Sequence, residues 1–139
     1  MIDEHHRRVF KELRAVGVTE YGMRKFAIKY LPNIIQPDEQ IMAVVYGRYQ
    51  DKKDGASLNA GVLVATDKRI VFLDYKPGFK STDDIAYEAI SGVNSTWAIF
   101  SSVTLYTRIG NYTINFANTK CAKKFVDYVS HHCLKSTGK

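Results

Sequence analysis

The chain has 139 residues, 45% of them hydrophobic and 24% charged, with nine Tyr and seven Phe. That suffices for one domain with its own core and is too apolar for a disordered chain. The formal charge is +6 at pH 7, and charge interrupts every apolar run before it could cross a membrane as a helix.

The first residues, Met1-Ile2-Asp3-Glu4-His5-His6-Arg7-Arg8, have no apolar block behind them and do not read as a signal peptide. From Asp3 to Val16, Phe10, Leu13 and Val16 fall at helical spacing, while Arg7, Lys11 and Arg14 run down another face. Gly17 is a fitting stop. Thr19 is placed to cap a second helix reaching Leu31, with Met23, Phe26, Ala27, Tyr30 and Leu31 as its apolar stripe, ended by Pro32. After Pro37 the texture becomes that of strands. The spacing predicts strands at Ile41–Tyr49, Ala60–Thr66, Arg69–Tyr75, Asp84–Ala89, Ile90–Ile99, Ser102–Arg108 and Tyr112–Ala117. Asp67-Lys68 and Gly110-Asn111 supply tight turns, and Lys76 to Ser81 a longer loop. From Lys120 to His132 the period is helical again, with Ala122, Phe125, Val126, Val129 and Cys133 on one face. The predicted fold is mainly β with α: a seven-stranded antiparallel barrel or sandwich capped by a C-terminal helix and preceded by two N-terminal helices. The predicted division is a helical arm at 1–31, a β-rich domain at 32–135 and a flexible tail at 136–139.

The positive charge is confined to the two ends. Residues 1–31 hold seven Lys/Arg against four Asp/Glu, a balance of +3; residues 32–118 hold eight against nine, −1; residues 119–139 hold five against one, +4. The two cysteines, Cys121 and Cys133, lie twelve residues apart on the last helix, a poor geometry for a disulfide. Two structural thiols and no export signal predict a reducing, cytoplasmic setting.

Three stretches go beyond the order of elements. Leu31-Pro32, with Pro37-Asp38-Glu39-Gln40-Ile41, resembles the opening of bacterial PH domains of the YokE-like type. Gly61-Val62-Leu63-Val64-Ala65-Thr66-Asp67-Lys68-Arg69-Ile70-Val71-Phe72-Leu73 resembles their core hairpin and that of the related GRAM domains. Ile85-Ala86-Tyr87-Glu88-Ala89-Ile90-Ser91-Gly92-Val93 is similar to a further stretch of the same family. The resemblance runs from about Leu31 to His132 and implies the pleckstrin-homology superfold, a binding role without catalysis and a tendency to homo-oligomers or adaptor contacts. The hairpin has a physical basis of its own. Thr66 and Asp67 can bond the turn backbone, and Arg69 can pair with a nearby carboxylate or extend along the barrel rim. The loop that holds phosphoinositides in eukaryotic PH domains offers Arg48, Lys52 and Lys53 here, but Asp51 and Asp54 offset them.

No catalytic constellation is present, and no cofactor is implied. The four histidines, His5, His6, His131 and His132, sit at the chain ends, and adjacent helical residues diverge too far to chelate a metal together. The function expected is therefore a non-catalytic module for protein contact or self-association. Its candidate interface residues are Trp97, Ile99 and Phe100, with Met23, Phe26 and Tyr30 of the helical arm, because such apolar clusters dominate interfaces when exposed. The alternative is peripheral attachment to an anionic surface, membrane lipid before nucleic acid, through Arg7, Lys11, Arg14, Lys120, Lys123 and Lys124.

Overall fold

The computed structural model describes residues 4–19, 28–50, 58–76, 79–97, 101–108, 110–117 and 119–136. Helix α1 (Glu4–Ala15) is followed by a 3-10 turn (Ile28–Asn33), seven strands and a final helix. The strands are β1 (Ile41–Gln50), β2 (Leu58–Thr66), β3 (Ile70–Lys76), β4 (Phe79–Ile85), β5 (Ile90–Trp97), β6 (Ser101–Thr107) and β7 (Gly110–Ala117), and the final helix is α2 (Thr119–Ser136). All seven form one antiparallel sheet in the order β4-β3-β2-β1-β7-β6-β5.

Helix α1 ends as its sequence predicts. Gly17 takes φ +100°, the Val18 amide donates to Leu13 O and the Gly17 amide to Arg14 O, both at 3.1 Å. Those two bonds make a Schellman cap, in which the left-handed residue is best served by glycine. Only one N-terminal α-helix is clear. Of the expected second helix, residues 20–27 lie outside the described residues, and the remainder is a 3-10 turn that runs through Pro32 to Asn33. A 3-10 turn tolerates this proline because so short a turn contains few interior amides.

The strand pattern resolves into two buried layers. Val62 and Val64 of β2 and Val71 and Leu73 of β3 join Val9, Leu13, Val16 and Val18 in one cluster. Their alternate neighbours Leu63, Ala65, Ile70 and Phe72 join Val103, Leu105, Ile114, Phe125 and Val129 in a second. The β1–β3 hairpins are thus a middle layer, covered by α1 on one face and by β5–β7 with α2 on the other. Such strands are apolar on both faces, which is why Gly61 to Thr66 is buried without interruption.

The sheet is not a closed barrel. Among the described residues, strands β4 and β5 each have a paired strand on one side only. The cause is local: β4 ends at Ile85, and Tyr87–Ala89 form a 3-10 turn with the Ala89 amide donating to Ala86 O at 3.0 Å. The expected strand Asp84–Ala89 is therefore the end of β4 and this turn, which sends β5 away from β4. The loop expected at Lys76–Ser81 is shorter, because β3 and β4 pair from Lys76↔Phe79 onwards. Likewise β7 already begins at Gly110. The two halves of the sheet meet where β1 crosses β7, paired at Arg48↔Asn115 and Tyr49↔Ile114. A Cβ on Gly47 would stand 2.2 Å from Asn115 O, so only glycine lets the backbones approach there.

Helix α2 buries Cys121, Ala122, Phe125 and Val129 against the sheet. No helix among the described residues is long and apolar enough to cross a membrane.

Candidate functional site

The residues that carry the sequence resemblance assemble into one buried polar node. Glu39, 1% exposed, receives the Thr66 hydroxyl at 2.7 Å, Arg69 Nε at 2.8 Å, Arg69 Nη2 at 3.0 Å and the Gln36 amide at 3.1 Å. Arg69 also donates to Ile34 O at 2.9 Å and pairs with Asp84 through Nη1 at 2.8 Å. The Thr66 hydroxyl in turn accepts the Lys68 and Arg69 amides at 3.1 and 3.0 Å, closing the hairpin turn. Gln40 donates its amide to Asp67 Oδ1 at 2.9 Å. Burial pushes the Glu39 carboxyl up, but the bonds from Arg69, Thr66 and Gln36, with the Arg69 charge, outweigh it and hold the group below its ordinary value. The Glu39 carboxylate is fully engaged, so this node is structural. Sequence reasoning offered Arg69 either a nearby carboxylate or a place along the rim, and did not identify Glu39. The signal was the shared hairpin-and-opening motif, whose two halves touch here.

Helix α2 reports on the same turn. Tyr87 and Tyr128 donate their hydroxyls to Thr66 O, and His132 stacks on Tyr87 with ring centroids 3.9 Å apart. His131 is exposed, so the neighbouring histidines diverge. Among the described residues no group of three or more His, Cys, Asp or Glu is arranged to hold a metal. Cys121 is a buried thiol outside any disulfide, pushed up to about 11 by burial, which the Lys124 charge only partly opposes.

Helix α1 is bound to its own sheet by polar contacts that the sequence did not disclose. Arg8 donates to Glu12 and to Glu39 O at 2.8 Å and to Gln36 O at 3.1 Å. Glu12 accepts the Ile41 amide at 3.0 Å, and His5 Nε2 donates to Pro32 O and Ile35 O at 3.0 and 2.8 Å. These groups lie beside the Arg7, Lys11 and Arg14 stripe on α1, a charge pattern that periodicity alone reads as solvated.

The structure brings the two basic ends together. Lys124 Nζ reaches Ala15 O at 3.5 Å, and Cys121 Sγ contacts Val16 O at 3.6 Å. Cations are unfavourable at the N-terminus of α2, but Lys124 stands beside the negative C-terminal pole of α1. Arg7, Lys11, Arg14, Lys120, Lys123 and Lys124 are all exposed. A shallow cleft lined by Glu4, His5, Arg7, Arg8, Lys11 and Pro37 runs along the first turns of α1. Of the candidate interface residues, Tyr30 is half-buried in the 3-10 turn. Met23, Phe26, Ile99 and Phe100 lie outside the described residues, as does the side chain of Trp97, which closes β5.

A family model described as a bacterial PH domain matches residues 35–131. The C-terminal domain of an unknown protein from Leishmania infantum superposes with a TM-score of 0.50 at 16% identity, covering 73% of this chain and 90% of that one. The pleckstrin homology domain of USP37 superposes with a TM-score of 0.49 at 14% identity, covering 66% of this chain and 97% of that one. No curated protein matches the chain in sequence.

Proposed function

The chain belongs to the bacterial PH domain family, and we propose from that premise that it is a non-catalytic binding module acting through contact with a protein partner or a second copy of itself. PH domains are in general binding modules without catalysis, and nothing in the buried node leaves a group poised for chemistry. The observation that carries the reading is the open sheet: among the described residues β4 and β5 each keep one side without a paired strand, and such edges accept strands from other chains. The binding unit corresponds to residues 32–135, with 1–31 as an arm whose helix α1 forms an outer layer and 136–139 as a tail. A cytoplasmic setting belongs to the same proposal. Light scattering on the full chain at high micromolar concentration tests the self-association half. A mass above that of the monomer supports it, and a strictly monomeric chain leaves the adaptor role alone.

A second reading, peripheral attachment to an anionic surface, is favoured by the contact between the two basic ends. Membrane lipid ranks above nucleic acid, because the six cations lie on two helices without the interleaved aromatics of a nucleic-acid platform. Replacing Arg7, Lys11 and Arg14 by Gln should weaken binding to anionic vesicles and flatten its salt dependence. A larger loss from replacing Lys52 and Lys53 would place the contact on the β1–β2 loop instead.

A further inference from the structure

Among the described residues, strand β4 is an edge of the sheet and pairs with β3 alone. That pairing keeps one register from Lys76↔Phe79 to Ile70↔Ile85, without a bulge, and β4 contains no proline. Thr82, Asp83 and Asp84 are all exposed, although successive residues of a strand point to opposite faces. An unbroken edge of this kind offers its outward backbone groups to another strand.

The seven residues of β4, Phe79-Lys80-Ser81-Thr82-Asp83-Asp84-Ile85, form an order that complements its own reverse. Two antiparallel copies related by a two-fold axis at Thr82 set Phe79 opposite Ile85, Lys80 opposite Asp84 and Ser81 opposite Asp83. Thr82 then faces Thr82. Apolar meets apolar, cation meets anion and hydroxyl meets carboxylate, and opposite charges and threonine pairs are cross-strand contacts that stabilise sheets. Moving the axis by one residue destroys the match, because it sets Asp83 against Asp83 or against Phe79. The order therefore selects a single register. Asp84 already receives Arg69 Nη1 at 2.8 Å and Asp83 the Tyr112 hydroxyl at 3.1 Å, but a carboxylate has acceptor sites for further donors. The other edge strand, β5, carries no charge and sets no register in this way.

We propose that β4 is the self-association edge of this protein, pairing antiparallel with β4 of a second copy about a two-fold axis at Thr82. The inference rests on the assembly reading above and deepens it by naming the edge and the register. A second copy is the occupant because the strand that complements β4 position by position is β4 itself. A two-fold contact uses the same patch on both subunits, as this order requires. Lys80 and Asp84 discourage strands of other sequence, yet in this register they become two ion pairs flanking the axis.

Sedimentation of the full chain at high micromolar concentration should show a dimer. Lys80→Glu sets carboxylates opposite one another on both sides of the axis and should raise the dimer dissociation constant at least about tenfold. Asp84→Lys should do the same. An equimolar mixture of these two variants should recover a dimer, since each altered charge again faces its opposite. Asp84→Lys also removes a partner of Arg69, so Thr82→Lys provides an independent variant: it spares that pair and sets two ammonium groups on the axis. Thr82 is exposed, and Thr82→Lys should unfold at the wild-type denaturant midpoint when dilute while losing the dimer. A dimer that survives both Lys80→Glu and Thr82→Lys overturns β4 as the interface and leaves self-association standing. A wild-type chain that stays monomeric overturns both.

Discussion

Glu39 is the residue on which the hairpin, the approach to β1 and the Arg8 clamp of α1 converge. Its carboxylate is buried, so its stability depends on every donor being present. Removing Arg69 as Arg69→Met leaves an uncompensated buried charge, and the cost expected in urea unfolding is about 3–5 kcal/mol. Glu39→Gln should be milder, because a neutral amide needs no counter-ion. The two also differ with pH. Folding lowers the Glu39 pKa below 4.5, so the native state holds its proton less tightly than the unfolded chain. The stability this contributes is present above pH 4.5 and is lost as pH falls through the lower native value. Urea midpoints measured between about pH 3 and 6 should therefore fall more steeply in the wild type than in Glu39→Gln. Equal slopes would show that the carboxylate is not held as described.

At the scale of elements, the strands and the last helix were legible because each has a clear period: alternate residues of β2 and β3 enter two cores, and Ala122, Phe125 and Val129 share one helical face. Phe125 has no exposed surface. Phe125→Ala should cost about 3–5 kcal/mol, with the denaturant slope unchanged; an unaltered midpoint would mean that α2 does not cap the sheet. The openness of the sheet was not legible. It depends on the short turn at Tyr87–Ala89, whose residues fit a strand as well as a 3-10 turn and are fixed by the Tyr87 hydroxyl on Thr66 O. Such a bond spans 21 residues, beyond the reach of any local pattern. Of the candidate sites, the basic stripe was legible as charge, but its meeting with α2 arises only when the chain folds.

For the whole molecule, the decisive feature is the third layer. The sequence reading set the arm at 1–31 apart from the β-rich domain and left open whether it packs on its own sheet or on a neighbour. In the structure α1 packs on its own sheet, where Val9 and Leu13 share a core with Val44, Tyr46, Val62, Val64, Val71 and Leu73. Those sheet residues belong to a cluster apart from the one that β5–β7 line, and Ile28, Leu31 and Ile35 join α1 in covering them. The polar contacts agree in direction, since Glu12 satisfies the first amide of β1 and Arg8 and His5 hold the carbonyls that precede it. A chain beginning at Pro32 would retain nearly all of the family match at 35–131 yet expose this apolar face. Exposed patches of that kind cause association and loss of native packing. The truncated chain should accordingly bind a hydrophobic dye and unfold at a much lower denaturant concentration than the full chain. Leu13→Ala in the full chain should show a smaller loss of the same kind, about 2–5 kcal/mol for a fully buried leucine. If the truncated chain were as stable and as soluble as the intact one, α1 would be an appendage of the domain and not one of its layers.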